Sequence, residues 1–456
     1  MSPVQGTASS LQTDIERLVN DIHANSGVPG IAVAVSVGGE RISVTVGTSA
    51  AGSGIPLSAD SGFQLGCITK LLTSLVALEL ADTGALSLDA PVGEYVPELV
   101  AVPALNAVRV RHLGSHTSGY QGINPGNPRF GYFYSWPKFL EFLGATQQMF
   151  TPGTTFSYEH TELVILGEIL RRISGKPVMQ IARERLFEPL GLRFGTIDAK
   201  QPSDPRTTVA DHTFDAAAGH YQVVRAMPYC DFWMASLSNL TAGVSDLARL
   251  GEAFLGQHAG CGLSPEVARQ ARVPDVSVPM TRGGRTSEQL PVAFGFGCAE
   301  YSGNLFGHNG SARGQTCGLR FDPDRGLALV VGLNSWQPYL RDRLLNSISR
   351  LVPGSQPERP RAAEPIGVDL RELAGTYSGS VQGSQVIVSN CGNELACDLG
   401  NTAGERMLRI VMVQDEEGRL VMKSDAQHLS VGFFLEKTAA TPCLMLGLNA
   451  FRKTVV

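Results

Sequence analysis

The sequence predicts an α/β architecture of the α+β kind. One antiparallel sheet is flanked by helices and interrupted by a helical insertion, and a small antiparallel β-barrel follows it. Three observations carry this reading. Two β-branched apolar runs lie close together in "PGIAVAVSVGGERISVTVG", residues 29–47. Comparable runs return only in "FGFGCAEY", "TCGLRFDP" and "LALVVGLN", with helical patterns in the long interval between, so a single sheet drawn from both ends of the segment is the economical arrangement. Beyond a Pro-rich stretch, about ninety residues carry short, regularly spaced strand-like runs with turn signals between them.

Each element has a local cause. Leu11, Ile15, Leu18, Val19 and Ile22 recur at helical spacing behind Ser and Thr residues suited to capping, so the chain opens with an amphipathic helix. Gly38-Gly39 joins the two following strands as a hairpin. From Ile68 to Leu80 the apolar positions are nearly continuous, which predicts a helix buried on most faces and ended at Gly84. "TELVILGEILRRISG" and "SDLARLGEAFL" read as helices among loops rich in Gly, Pro and aromatics, and "YLRDRLLNSISRLV" as a closing amphipathic helix. The chain therefore divides into residues 1–353, a linker over 354–367 within "PGSQPERPRAAEPIG", and a barrel over 368–456. Its expected strands are "GTYSGS", "QVIVSNC", "RMLRIVMVQ", "RLVMKS", "VGFFLE" and "CLMLGLNAF", with "DEEG" as a turn.

Composition narrows the function. A net charge of −5 without a basic run gives no reason to expect nucleic acid as a partner. No window is long and apolar enough to span a membrane, and no basic segment leads into an apolar one at the N-terminus. The eight cysteines lack paired metal-ligand spacing, so most are expected to be reduced and buried in a cytoplasmic protein. No metal site, phosphate-binding glycine loop or dinucleotide fingerprint is legible, and no cofactor is expected.

The stretch "FQLGCITKLLTSL", residues 63–75, carries the chemistry. Positions i and i+3 share a helix face, so Cys67 and Lys70 can meet at the first turn. A helix N-terminus and a nearby ammonium both favour a thiolate, and together they make an activated nucleophile. A lone C-x-x-K is also compatible with a buried, inert thiol.

Its surroundings resemble the serine β-lactamase and penicillin-binding-protein superfamily, whose S-x-x-K motif opens a buried helix. The downstream "G-x-L-x-L-D-x-P-V-x-x-Y-x-P" pattern is met by Gly84, Leu86, Leu88, Asp89, Pro91, Val92, Tyr95 and Pro97. "LGSHTSGY", "TPGTTFSYEHTELVILGEIL", "SNLTAGVSDLARL" and "FGHNGSARGQTCGLRFDPDRGLALVVGLN" resemble further family segments in the same order, from about residue 14 to 350. The resemblance implies a β-lactamase-like sandwich with Cys67 at the serine position forming the acyl-enzyme and Lys70 taking its proton. It implies Tyr158 as a proton relay and His308, in the H-N-G counterpart of K-T-G, orienting a substrate carbonyl or carboxylate. The backbone amides of Cys67 and Ser311 would form the oxyanion hole, with Asn309, Gly310 and His160 beside the substrate; His116 would support a loop.

Two departures matter. Cysteine replaces serine, and His160 after Glu159 stands where the family's Y-S-N triplet has Asn. A thioester intermediate is more reactive toward amines than an ester, and loss of the Asn amide counts against ordinary cell-wall recognition. A β-lactamase-like domain followed by a lipocalin-like barrel resembles the penicillin-binding-protein-type thioesterases of nonribosomal peptide biosynthesis. That resemblance implies acyl transfer or macrocyclising release of a peptidyl or acyl thioester, which a carrier protein would deliver. The alternatives are a cytoplasmic esterase or amidase, including D-peptidase-like hydrolysis, and a binding protein on an inactive fold. The runs "GYFYSW" (131–136) and "YCDFWM" (229–234) are candidate cleft walls, and equally candidate core.

Overall fold

The computed structural model describes residues 3–122, 135–196, 208–224, 240–257, 263–278, 291–301, 304–312, 314–354, 369–379, 384–392, 394–401, 406–414, 420–422, 431–435, 442–446 and 449–454. Helix α1 (Pro3–Ser26) leads into β1 (Gly30–Val37) and β2 (Glu40–Gly47), joined where Gly38 and Gly39 both take positive φ, as a tight hairpin turn requires. Helices α2 (Ile68–Asp82), α3 (Thr161–Ser174) and α4 (Val244–Phe254) come from the middle of the chain. The sheet is completed by β3 (Val276–Ser277), β4 (Ala293–Phe294), β5 (Ala299–Tyr301), β6 (Leu305–Ala312), β7 (Gln315–Asp322) and β8 (Leu327–Leu333), and α5 (Pro338–Leu351) follows.

The strand order is β2-β1-β8-β7-β6-β5-β4-β3, with every pair antiparallel. The N-terminal hairpin thus pairs through β1 with the last strand of the segment, as the two separated sets of apolar runs predict. Strand alternation divides the core into two layers. Val33, Val35, Leu329 and Val331 face α1 and α5, where Ile15, Val19, Leu344 and Ile348 are buried. Ala32, Ala34, Leu319 and Val330 face the other way, toward α2, α3 and α4. Helix α2 lies inside that second layer, with Leu71, Leu72, Leu75 and Val76 fully buried. Burial of each such leucine contributes about 2 kcal/mol.

"FGFGCAEY" does not form one strand. Gly297 takes positive φ, and a turn closed by Gly295 N–H to the Cys298 carbonyl (2.8 Å) separates β4 from β5.

The C-terminal sheet comprises β9 (Gly375–Gly379), β10 (Ser384–Cys391), β11 (Glu394–Asn401), β12 (Arg406–Gln414), β13 (Leu420–Met422), β14 (Val431–Leu435), β15 (Pro442–Leu446) and β16 (Asn449–Lys453). Its order is β13-β12-β11-β10-β9-β16-β15-β14. No ladder joins β13 to β14 among the described residues, so the expected barrel is a curled, open half-barrel. "ELACDLGN" forms β11, a strand its Glu, Asp, Gly and Asn conceal from a propensity reading. "CLMLGLNAF" splits into β15 and β16. The "DEEG" turn and the linker from residue 355 on lie outside the described residues.

Candidate active site

Cys67 sits at the N-cap of α2, immediately after Gly66, whose φ of +50° is open to glycine at little cost. Lys70 is one turn on and 1% exposed, and its Nζ donates to Cys67 Sγ at 3.0 Å. The same Nζ lies 5.1 Å from the centre of the Tyr158 ring. Tyr158 precedes α3, and its phenol interacts with Cys67. Lys70 and Tyr158, from two separated segments, are therefore brought together beside the Cys67 thiol.

Their charges are set by burial and by each other. Burial alone would push the Cys67 thiol up; the Lys70 ammonium, followed by the Tyr158 hydroxyl, outweighs it, and the net direction is down. Tyr158 moves the other way, held well above the usual phenol range by burial and then by the charge on Cys67. The two shifts favour a Cys67 thiolate beside Lys70 with the phenol kept protonated. A serine here would need its proton removed during attack, whereas the Cys67 thiol, with its pKa lowered, gives up its proton more readily.

Strand β6 forms the opposite wall. A Cβ on Gly66 would lie 2.5 Å from the Ser311 carbonyl oxygen and 2.6 Å from its nitrogen, so only glycine permits this approach. A Cβ on Gly310 would overlap the Leu65 carbonyl oxygen. The Ser311 backbone is thereby held beside Cys67. The Cys67 amide has no backbone acceptor among the described residues and is free to serve an oxyanion.

His308 is buried, with its ring 6.2 Å from that of Tyr158. Its Nδ1 lies 2.5 Å from the Asn309 carbonyl, which only accepts, so Nδ1 carries the proton. Burial, then the Lys70 charge, holds the imidazole down to about 3, leaving it neutral with an acceptor lone pair on Nε2. Nε2 has no hydrogen-bond partner among the described residues. A neutral imidazole with a free acceptor pairs with an N–H or O–H rather than a carboxylate, which modifies the role implied by the family's lysine. His160, at the N-cap of α3, meets the Tyr158 ring edge-on at 5.6 Å and is likewise held neutral by burial and then by Lys70.

Asn309 is the residue the structure moves out of the cleft. It pairs across the ladder with Gly318, on the face covered by α5, and its Nδ2 donates to Asp342 Oδ1 at 3.3 Å. Side chains alternate along a strand, so neighbours of His308 point to the opposite layer.

Sequence reading missed the support beneath Tyr158. His116, at φ 54°, places Nδ1 2.5 Å from Glu162 Oε2, and its ring lies 4.3 Å from that of Tyr158. The Ser118 hydroxyl and amide both donate to Glu162 Oε1. The available signal was a glutamate placed directly before the apolar run "LVIL" of α3. Trp136, from one of the proposed wall segments, packs beside Phe139 with its rings 5.5 Å away, against the main core. Residues 131–134 and 229–234 lie outside the described residues.

A fold of this kind, with a C-x-x-K segment opening a buried helix against an antiparallel sheet, is that of the β-lactamase-like class of enzymes. A family model described as Beta-lactamase matches residues 15–351, and the chain belongs to that family. Penicillin-binding protein 4 of Amycolatopsis lactamdurans is 27% identical over 380 residues, covering 77% of this chain and 93% of that protein. The D-alanyl-D-alanine-carboxypeptidase/endopeptidase AmpH of Escherichia coli K12 is 27% identical over 202 residues, or 43% of this chain and 52% of that relative's length. The crystal structure of SurE is similar with a TM-score of 0.76 at 22% identity, covering 98% of this chain and 100% of that one. The octameric penicillin-binding protein homologue from Pyrococcus abyssi gives 0.62 at 20% identity, covering 97% and 99%. At such identities these two bear on the fold, and both extend through the C-terminal sheet.

Proposed function

We propose that the chain is a cysteine-dependent acyltransferase that takes a peptidyl or acyl thioester from a carrier protein and releases it by aminolysis, including macrocyclisation. The observation that carries this is the Lys70–Cys67 pair at 3.0 Å, with the Tyr158 ring 5.1 Å from the same ammonium. The Cys67 thiolate attacks the thioester carbonyl, forming a new C–S bond, and the departing thiolate takes a proton from the phenol or ammonium beside it. An incoming amine then attacks the enzyme thioester, loses its proton to the same groups, and expels Cys67. The oxyanion of each tetrahedral intermediate is met by the amides of Cys67 and Ser311.

Two features favour transfer over carboxypeptidase chemistry. Neutral His308 stands where the family's lysine would meet a substrate carboxylate, and His160 replaces the amide that would bind an acylamino group. The match of D-alanyl-D-alanine-carboxypeptidase/endopeptidase AmpH supports hydrolysis as the second reading. A thiolate nucleophile and free Cys391 at the surface suit a reducing, cytoplasmic setting.

The two readings separate by product. With a peptidyl thioester and a competing amine at millimolar concentration, chromatography should find amide in excess over acid. Acid as the sole product, at every amine concentration, would replace transfer by hydrolysis.

A further inference from the structure

The catalytic layer does not hold Tyr158 alone. Met149, Phe150, Phe156, Phe294 and Tyr301 bury against Cys443, Met445 and Ala450 of the C-terminal sheet, and Tyr158 packs on this shared cluster. At its centre the Ala450 amide donates to Ser157 Oγ at 3.0 Å, in a buried bond joining β16 to the residue beside Tyr158. Ser157 is 6% exposed, and its own amide donates to the His116 carbonyl at 2.9 Å. Arg452 Nη1 donates to the Met149 carbonyl at 3.1 Å, and Gln121 Nε2 to the Gly379 carbonyl at 3.2 Å.

We propose that β15 and β16 are a positioning element of the active site, and that Ser157 is the residue through which they fix Tyr158. The inference rests on the reading of Tyr158 as the proton carrier at Cys67. Ser157 is clamped on both sides, by Ala450 from the C-terminal sheet and by His116 from the catalytic layer. The phenol that follows it in the chain gains its position relative to Cys67 from both. A surface appendage would leave the Ser157–Tyr158 backbone to the catalytic layer alone.

The test uses the full chain, and its first readout needs no substrate. The pH dependence of Cys67 alkylation by iodoacetamide is compared in the parent, Ser157→Ala and Ser157→Thr, with Ile387→Ser on an exposed face of the same sheet as control. Loosening the phenol weakens its interaction with the thiolate, so Ser157→Ala should raise the midpoint by about half to one pH unit. Acylation by a small thioester should slow about 3- to 10-fold. Ser157→Thr keeps the acceptor oxygen and should restore most of the profile, and Ile387→Ser should match the parent. A Ser157→Ala profile superimposable on the parent's would overturn the proposal, even if turnover fell. A parent midpoint in the ordinary thiol range would instead count against the nucleophile reading, while the difference between the proteins would still report on Ser157.

Discussion

A thiol in place of a hydroxyl at position 67 gives up its proton more readily before substrate arrives. Because the Cys67 pKa is lowered, the thiolate is present above a depressed midpoint, and reactivity rises with pH through that midpoint and then levels off. Lys70→Ala should raise the alkylation midpoint and slow acylation at neutral pH about a hundredfold. Glu159 offers a test of opposite sign. Its carboxyl is raised to about 7, first by burial, with Thr161 accounting for its two side-chain hydrogen bonds and Oε1 unpaired among the described residues. The folded state therefore holds a proton the unfolded chain has released between the ordinary carboxyl value of 4.5 and about 7, and stability falls as pH rises through that window. Glu159→Gln should stabilise by roughly 2–3 kcal/mol at about pH 8 and by little at about pH 5, as urea unfolding would measure. That Cys67 and Lys70 meet beside Tyr158 was legible because their motifs have fixed local spacing. Asn309 and Glu162 were not, since one depends on strand alternation and the other on a packing partner 46 residues away at His116.

Elements bring these residues together through close backbone approaches. The N-terminus of α2 meets β6 where Gly66 faces Ser311 and Gly310 faces the Leu65 carbonyl. Gly66→Ala would add a Cβ to a positive-φ residue 2.5 Å from a carbonyl oxygen. It should cost about 1–3 kcal/mol of stability and, by displacing the oxyanion donors, at least tenfold in acylation. Thermal unfolding and single-turnover kinetics would measure the two effects separately. Long apolar elements such as α2 and β8 were readable from composition and period. Strand β11 was not, because its pairing with both β10 and β12 overrides its polar residues. The open edge at β13 and β14 is equally a matter of long-range pairing, which no local signal encodes.

At the scale of the whole molecule, the catalytic layer and the C-terminal sheet share one buried cluster, so their stabilities are coupled. Met445→Asp would bury an unpaired charge there and should cost about 3 kcal/mol or more, with loss of structure in both parts along a single denaturant transition. Two transitions, with the first confined to the C-terminal sheet, would show the parts to be independent. That one sheet draws strands from both ends of residues 1–353 was predictable, but its strand order and the packing of the C-terminal sheet behind Tyr158 lie beyond any local sequence pattern. The proposed chemistry turns on Cys67 as the nucleophile. Intact-protein mass spectrometry after mixing with a small acyl thioester tests it directly. The account predicts a single acyl adduct on the parent, absent from Cys67→Ala and discharged by added amine. An adduct of equal yield on Cys67→Ala, or none on either protein while the thiol resists alkylation below about pH 8, would contradict it.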